Sequence, residues 1–131
     1  MNAYQIEKML FELIADRTGK FSFSGAPPAW AVLPAYVYSM ASARDINTLG
    51  EPGQIMVEAT YIVKVIARST SWSAVAPWAD TLDSALDGAV YEQDGYRLEV
   101  RRERPIAYIE TDNGQEYRHL GGYYTVYLTK L

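Results

Sequence analysis

The chain has 131 residues, of which 49% are hydrophobic and 21% charged, with a formal net charge of −4 at pH 7 and no cysteine. This length and composition predict one folded domain, residues 1–131, and disfavour a disordered chain. The lack of cysteine excludes disulfides and thiolate chemistry, and the negative charge disfavours a dedicated nucleic-acid binder. No apolar stretch approaches a membrane span and no export signal is recognisable, so we expect a soluble, unexported protein.

The N-terminal region predicts a helix followed by an irregular connection. The apolar residues Ile6, Met9, Leu10, Leu13 and Ile14 recur at the spacing of one helical face, which predicts a helix over residues 3–16. Residues 17–34 contain several glycines and prolines, so we expect an irregular connection there.

The middle of the chain predicts two strands and a second helix. A strand is expected over residues 35–41, followed by a long loop over residues 42–54, and long loops in small domains are usually functional or mobile. Residues 55–69 predict the longest strand, whose uncharged odd positions should face the helices, while its mixed even positions resemble an interface. The second helix is expected over residues 75–87, with Gly88 as its C-terminal stop.

The last third of the chain predicts four short strands in meander order. These cover residues 96–103, 106–111, 115–120 and 123–129. The expected breaks between them are Arg104-Pro105, Asn113-Gly114 and Gly121-Gly122, of which Asn113-Gly114 is a strong hairpin signal.

This order of elements predicts an α+β domain with a mostly antiparallel sheet and two helices packed on one face. The opposite face is then expected to carry Ile62, Ile66, Tyr123 and Tyr127. Burying several hundred Å² of such surface would gain several kcal/mol at roughly 25 cal/mol per Å². We therefore predict that these four residues lie in an interface between identical subunits.

The sequence offers few groups for catalysis, and we expect no enzyme, no cofactor and no metal site. His119 is the one histidine, and a single histidine without cysteine cannot make a zinc site. It is expected to be an ordinary structural histidine. The alternative is a small ligand-binding or enzymatic α+β domain, with a pocket lined by Tyr36, Tyr38, Tyr61 and His119.

A group of arginines follows the second helix, at Arg97, Arg101, Arg102 and Arg104. Because glutamates are interleaved with them, cross-strand ion pairing on a solvated surface is the expected outcome. The alternative is that arginines at the end of this strand guide nucleic acid past the protein.

A resemblance to a known family is spread over nearly the whole chain. The segments that carry it include the helix from Ile6 to Ile14, Leu33-Pro34-Ala35-Tyr36-Val37-Tyr38, the long loop ending at Gly53, Tyr61-Ile62-Val63-Lys64-Val65, the helix from Trp78 to Leu86, Arg104-Pro105-Ile106 and Gly121-Gly122-Tyr123-Tyr124. In this order they resemble the tail terminator, or tail completion, proteins that close the head-proximal end of the tail tube in long-tailed bacteriophages.

The resemblance implies a structural virion protein that is assembled in the host cytoplasm. Such a protein is a monomer in solution and forms a hexameric ring that caps the tail tube protein and meets the head connector protein. Genomic DNA passes through the ring without sequence-specific contact, and no membrane is involved. Contacts to the tube or lumen are expected from Arg44, Asp45, Asn47, Arg102 and Arg104. Another head-tail joining, or neck, protein is the close alternative within this class.

Overall fold

The computed structural model describes residues 3–46 and 56–131, which form an α+β domain as the order of elements predicts. The described elements, in chain order, are α1 (Ala3–Thr18), β1 (Ser22–Ser24), β2 (Ala35–Ile46), β3 (Met56–Arg68), α2 (Trp72–Leu86), β4 (Val90–Gln93), β5 (Tyr96–Asp112) and β6 (Gln115–Lys130). No described helix is long and apolar enough to cross a bilayer.

The strands form one six-stranded sheet in the order β1-β2-β3-β6-β5-β4. The pair β1–β2 is parallel, and every other neighbouring pair is antiparallel. Two long hairpins, β2–β3 and β5–β6, are joined through the central strands β3 and β6, whose pairing runs from Met56↔Thr129 to Arg68↔Tyr117. The centre of the sheet therefore unites segments that are remote in sequence.

Both helices cover one face of this sheet and form the core with it. The predicted apolar stripe of α1 is confirmed, since Ile6, Met9, Leu10, Leu13 and Ile14 are all fully buried. The odd positions of β3 face the helices as predicted, and each described one is at most 5% exposed: Val57, Ala59, Tyr61, Val63, Val65 and Ala67. Helix α2 adds Val75, Leu82 and Leu86 to the same core. The stripe of α1, which has the 3.6-residue period of a helix, thus packs with the alternate positions of β3, which have the two-residue period of a strand, in a single core.

The prediction of four short strands in the last third is wrong, because β5 and β6 are continuous and form one long hairpin. The two supposed breaks lie opposite each other, with Pro105 facing Gly122 and Ile106 facing Gly121. A Cβ atom on Gly121 would lie only 2.2 Å from the carbonyl oxygen of Val63, so glycine here permits a close approach of β6 to β3. The glycines serve strand packing and not a turn.

Several boundaries also differ from the prediction. The short strands β1 and β4 were not expected, and β2 continues to Ile46 into the predicted loop. Helix α1 extends to Thr18, and α2 begins at Trp72, three residues before its predicted start at Val75. Strand β3 is described from Met56, so its predicted first residue and the rest of the expected loop lie outside the described residues.

Candidate functional site

The four predicted interface residues lie together on the sheet face opposite the helices, here called the far face. Ile62 pairs with Tyr123, Ile66 pairs with His119 and Glu58 pairs with Tyr127. Directly paired residues of an antiparallel ladder project to the same side. All four residues therefore share one surface, as the alternation of β3 predicts.

This surface is less exposed to solvent than the sequence suggests. Ile66 is 8% exposed in the single chain, while Ile62, Tyr123 and Tyr127 are half-buried. The guanidinium carbon of Arg104 lies 4.1 Å from the centre of the Tyr123 ring, and Thr125 donates a hydrogen bond to Glu103. Side chains of β5 thus cover part of the face that sequence reasoning assigned to a neighbouring subunit.

The predicted tube or lumen contacts do not form one patch. Arg44 makes an ion pair with Glu58 at 2.6 Å, and Asp45 pairs with Val57 near the end of β2. Asn47 lies outside the described residues. Arg44 and Asp45 lie on β2, which β3 and β6 separate from the strand that carries Arg102 and Arg104.

A β-bulge separates Arg102 from Arg104. The register of β5 against β6 shifts between Arg102 and Arg104, so that Arg102 pairs with Tyr124 and Arg104 with Tyr123. Arg102 consequently faces the helices, where its Nη1 lies 3.2 Å from Asp83 Oδ2, while Arg104 lies on the far face. Because the bulge directs Arg102 and Arg104 to opposite faces of the sheet, the two cations cannot contact the same ligand group.

A concave pocket of about 380 Å³ opens on the far face beside His119. Part of its wall is apolar and comes from Pro27, Leu33, Val37 and Ile66. Its charged members are Lys64 from β3 and Glu110 and Asp112 from the end of β5. The volume lies within the ordinary range of small ligand sites, and an apolar wall with a few polar groups is their usual composition.

Two side chains contact His119 in this pocket, and a third supports one of them. Its Nε2 lies 3.0 Å from Glu110 Oε1, and its ring stacks on Tyr108 with the ring centres 4.2 Å apart. Lys64 Nζ in turn donates a hydrogen bond of 2.5 Å to the Tyr108 hydroxyl. His119 is only 5% exposed, and this burial lowers its pKa, although the hydrogen bond to Glu110 opposes the shift.

These contacts fix the tautomer of His119. A neutral imidazole carries one N–H, and an ionised carboxylate can only accept, so the proton must lie on Nε2. Nδ1 is then an acceptor, and it has no hydrogen-bond partner within residues 3–46 and 56–131. His119 therefore carries a buried nitrogen that has no donor among the described residues.

The pocket predicted from the tyrosines is wrong in its lining. Tyr36, Tyr38 and Tyr61 lie on the helix side of the sheet, where Tyr36 donates to the carbonyl of Trp78 at 2.9 Å. His119 lies on the opposite side. Sequence reasoning missed Tyr108 and Glu110, although a two-residue Asn113-Gly114 turn places Tyr108 directly opposite His119 once β5 and β6 are taken as continuous.

The described residues contain no cluster of three His, Cys, Asp or Glu side chains that could hold a metal ion. The acidic positions of α2 illustrate the reason. Asp83 accepts a hydrogen bond from the Tyr124 hydroxyl at 2.7 Å and pairs with Arg102, while Asp87 accepts a hydrogen bond from the Arg102 backbone N–H. Asp83 on α2 and Asp87 directly after it thus join this helix to the sheet.

No protein-family model and no curated protein matches the sequence. Nine chains among the solved structures match it. One of them is 17% identical, with a TM-score of 0.55, over 96% of this chain and 91% of that chain. Its name states no function. A likeness at this identity shows a shared fold over almost the whole length.

Proposed function

We propose that this chain is a structural virion protein, a tail terminator that forms a ring on the tail tube of a long-tailed bacteriophage and joins the tail to the head connector. The sequence resemblance motivates the proposal. The structural observation that supports it best is a pair of different open edges at the two ends of one sheet.

The first open edge belongs to β2. Strand β1 covers β2 only from Tyr36 to Tyr38, so residues 39–46 have β3 as their one strand neighbour among the described residues. The second open edge belongs to β5. Strand β4 pairs with residues 96–99, and from Glu103 to Asp112 β6 is the one described strand neighbour of β5. Unpaired backbone groups along both edges can accept another strand.

These two edges have different sequences and lie at opposite ends of the sheet order. A contact between β2 of one copy and β5 of the next would therefore be head-to-tail, and repetition of such a contact closes a ring when the rotation allows it. A ring built in this way uses one kind of interface for every subunit. The half-buried residues Ile62 and Tyr123 of the far face would add apolar area to this interface.

Charge on the same edges favours a monomer before assembly. Arg44 and Asp45 lie on the β2 edge, and Arg104 followed by Pro105 lies on the β5 edge. Charged residues and proline at an edge are the usual means of preventing indiscriminate strand pairing. A protein that must remain single until it reaches the end of a tube needs such edges.

Electron microscopy of the protein mixed with purified tail tubes tests the proposal directly. We expect a ring at one end of each tube, and mass photometry of the protein alone should report a monomer. A protein that leaves tube ends bare at every concentration tried contradicts the proposal. Binding to isolated head connectors but never to tubes would instead favour the neck-protein alternative.

Cross-linking tests the pairing of edges. Because the chain has no cysteine, Ala43→Cys on β2 combined with Ala107→Cys on β5 introduces the only two thiols. Within one chain these strands are separated by β3 and β6, three strand spacings or roughly 14 Å, and by several further residues along the strands. A short bismaleimide should therefore not join the two cysteines of one chain. It should join cysteines of neighbouring copies, and ladders of cross-linked oligomers should appear only when tail tubes are present.

The matched control replaces Ala107→Cys with Ser84→Cys, an exposed position on α2. We expect no ladder from this pair. Equal ladders from both pairs would show that the β5 edge has no special place in assembly.

A further inference from the structure

The far-face pocket contains more hydrogen-bond acceptors than free donors. Glu110 uses one oxygen to accept the Nε2–H of His119, and its side chain is 59% exposed, so it can accept further bonds. Asp112 is exposed and has no ion-pair partner among residues 3–46 and 56–131. His119 also lines this pocket, and its Nδ1 is a buried acceptor without a partner among the described residues.

Among the described lining residues, Lys64 supplies the one ammonium group, and this group already has a partner. Lys64 Nζ donates to the Tyr108 hydroxyl at 2.5 Å and lies 4.9 Å from the centre of that ring. Among the described lining residues, two carboxylates and one ammonium, with a neutral imidazole, give a net negative charge. Arg68, which donates a hydrogen bond to Gln115 opposite Asp112, is a neighbouring cation outside this lining. A ligand that complements the pocket must bring positive charge and several N–H groups.

The shape of the pocket further restricts the kind of ligand that fits it. Its apolar wall, formed by Pro27, Leu33, Val37 and Ile66, lies beside the two carboxylates. A volume of about 380 Å³ accommodates a single long side chain. An aliphatic stem that ends in a planar cation satisfies the wall and the carboxylates together.

We propose that this pocket binds an arginine side chain of another protein, with the guanidinium group at Glu110 and Asp112 and the stem against Leu33 and Ile66. Guanidinium offers five N–H donors in a fixed fork that suits carboxylates, whereas an ammonium offers three donors around a point. The inference concerns the chemistry of the bound side chain. It holds whichever protein supplies the arginine, and so it does not rest on ring formation.

Titration of the full chain with N-acetyl-arginine amide, followed by ¹H–¹⁵N NMR, tests the inference. We expect saturable shifts of His119, Lys64 and Asp112, with a dissociation constant on the order of 1 mM for so small a probe. N-acetyl-citrulline amide, a neutral analogue of the same shape, should bind at least about tenfold more weakly, because it lacks the charge that the carboxylates recognise. N-acetyl-glutamate amide should not bind.

Two conservative variants locate the binding. Asp112→Asn and Glu110→Gln should each weaken arginine binding by about threefold to tenfold, since each removes a negative charge and keeps a hydrogen-bonding oxygen. Glu110→Gln can still accept the His119 N–H, and circular dichroism will report whether both variants fold. Glu92→Gln, an exposed carboxylate on β4 outside the pocket, is the matched control and should leave the affinity unchanged.

Three outcomes overturn the inference. The first is equal binding of the arginine and citrulline probes, and the second is preference for the glutamate probe, which would make Lys64 the recognising group. The third is arginine binding that both pocket variants leave intact, or no shift at His119 and Asp112 at saturating probe. Each of these results can be obtained without tail tubes, so a failed ring assay does not affect the test.

Discussion

The ring of Tyr108 lies parallel to the imidazole of His119, at an interplanar angle of 10° and a distance of 4.2 Å between ring centres. The two residues occupy directly opposed positions of the β5–β6 ladder. Glu110 binds the edge of the imidazole from two residues further along β5. This stack, continued by Lys64, attaches the open-edged part of β5 to the centre of the sheet.

The burial of His119 predicts a pH-dependent stability. Its pKa is lowered from the ordinary value of 6.5, so below that value the unfolded chain binds a proton that the folded chain resists. The free energy of unfolding should therefore decrease as the pH falls through 6.5 toward the lower folded pKa. Urea unfolding of the wild type and His119→Asn at several values from about pH 7 to pH 5 measures this, because His119 is the only histidine of the chain. Curves that stay parallel would contradict it.

The hydroxyl of Tyr124 predicts a stability effect that a surface tyrosine lacks. Tyr124 is 1% exposed and donates a hydrogen bond of 2.7 Å to Asp83, which joins β6 to α2. Tyr124→Phe should reduce the free energy of unfolding by about 1.5–3 kcal/mol, since a bond to a charged acceptor is lost. Denaturant unfolding measures the change. Tyr127→Phe, on the far face, is the control and should change stability by less than about 0.5 kcal/mol.

The close approach of β6 to β3 at Gly121 predicts that adding a single methyl group at this position destabilises the fold. The added Cβ of Gly121→Ala would lie 2.2 Å from the Val63 oxygen and 2.5 Å from the Cα of Lys64, both of them backbone atoms. Backbone displacement is then required, and we expect a loss of about 3 kcal/mol or more. The neighbouring Gly122→Ala meets its nearest atom at 3.0 Å and should cost clearly less. Equal costs in thermal or chemical unfolding would refute this account.

The far-face tyrosines predict a loss of assembly without loss of fold. Tyr123→Lys combined with Tyr127→Lys places two cations on the proposed subunit interface, one of them beside Arg104. We expect no rings on tail tubes by electron microscopy, and an unchanged circular dichroism spectrum because neither residue belongs to the core. Tyr4→Lys, at a position that is 73% exposed on α1, provides the control. Normal rings from the double variant would remove these tyrosines from the interface.

The parts of the fold that follow from local pattern could be predicted from the sequence. The stripe from Ile6 to Ile14 and the alternation along β3 each depend on a single element and its period, and both face the core. The short strands β1 and β4 depend on their partners, since three or four residues carry no period of their own. Their existence is a property of the assembled sheet.

The candidate site depends on the register of β5 against β6, and for this reason Tyr108 and Glu110 were not predicted from the sequence. Pro105 and Gly121-Gly122 are typical turn residues, and taking them as turns separated β5 from β6 at the very point where they pair. With the hairpin broken there, Tyr108 and Glu110 have no relation to His119. The Asn113-Gly114 turn carried enough information to place them, because Asp112 pairs with Gln115 across it.

The pairing of β3 with β6 has a consequence for the order of folding. Each hairpin, β2–β3 and β5–β6, brings together residues that are near in sequence, whereas Met56↔Thr129 closes a separation of more than half the chain. Contacts of high sequence separation form late because the entropy of closing the intervening loop must be overcome first. We therefore expect the two hairpins to form early and their docking along β3 and β6 to limit the folding rate.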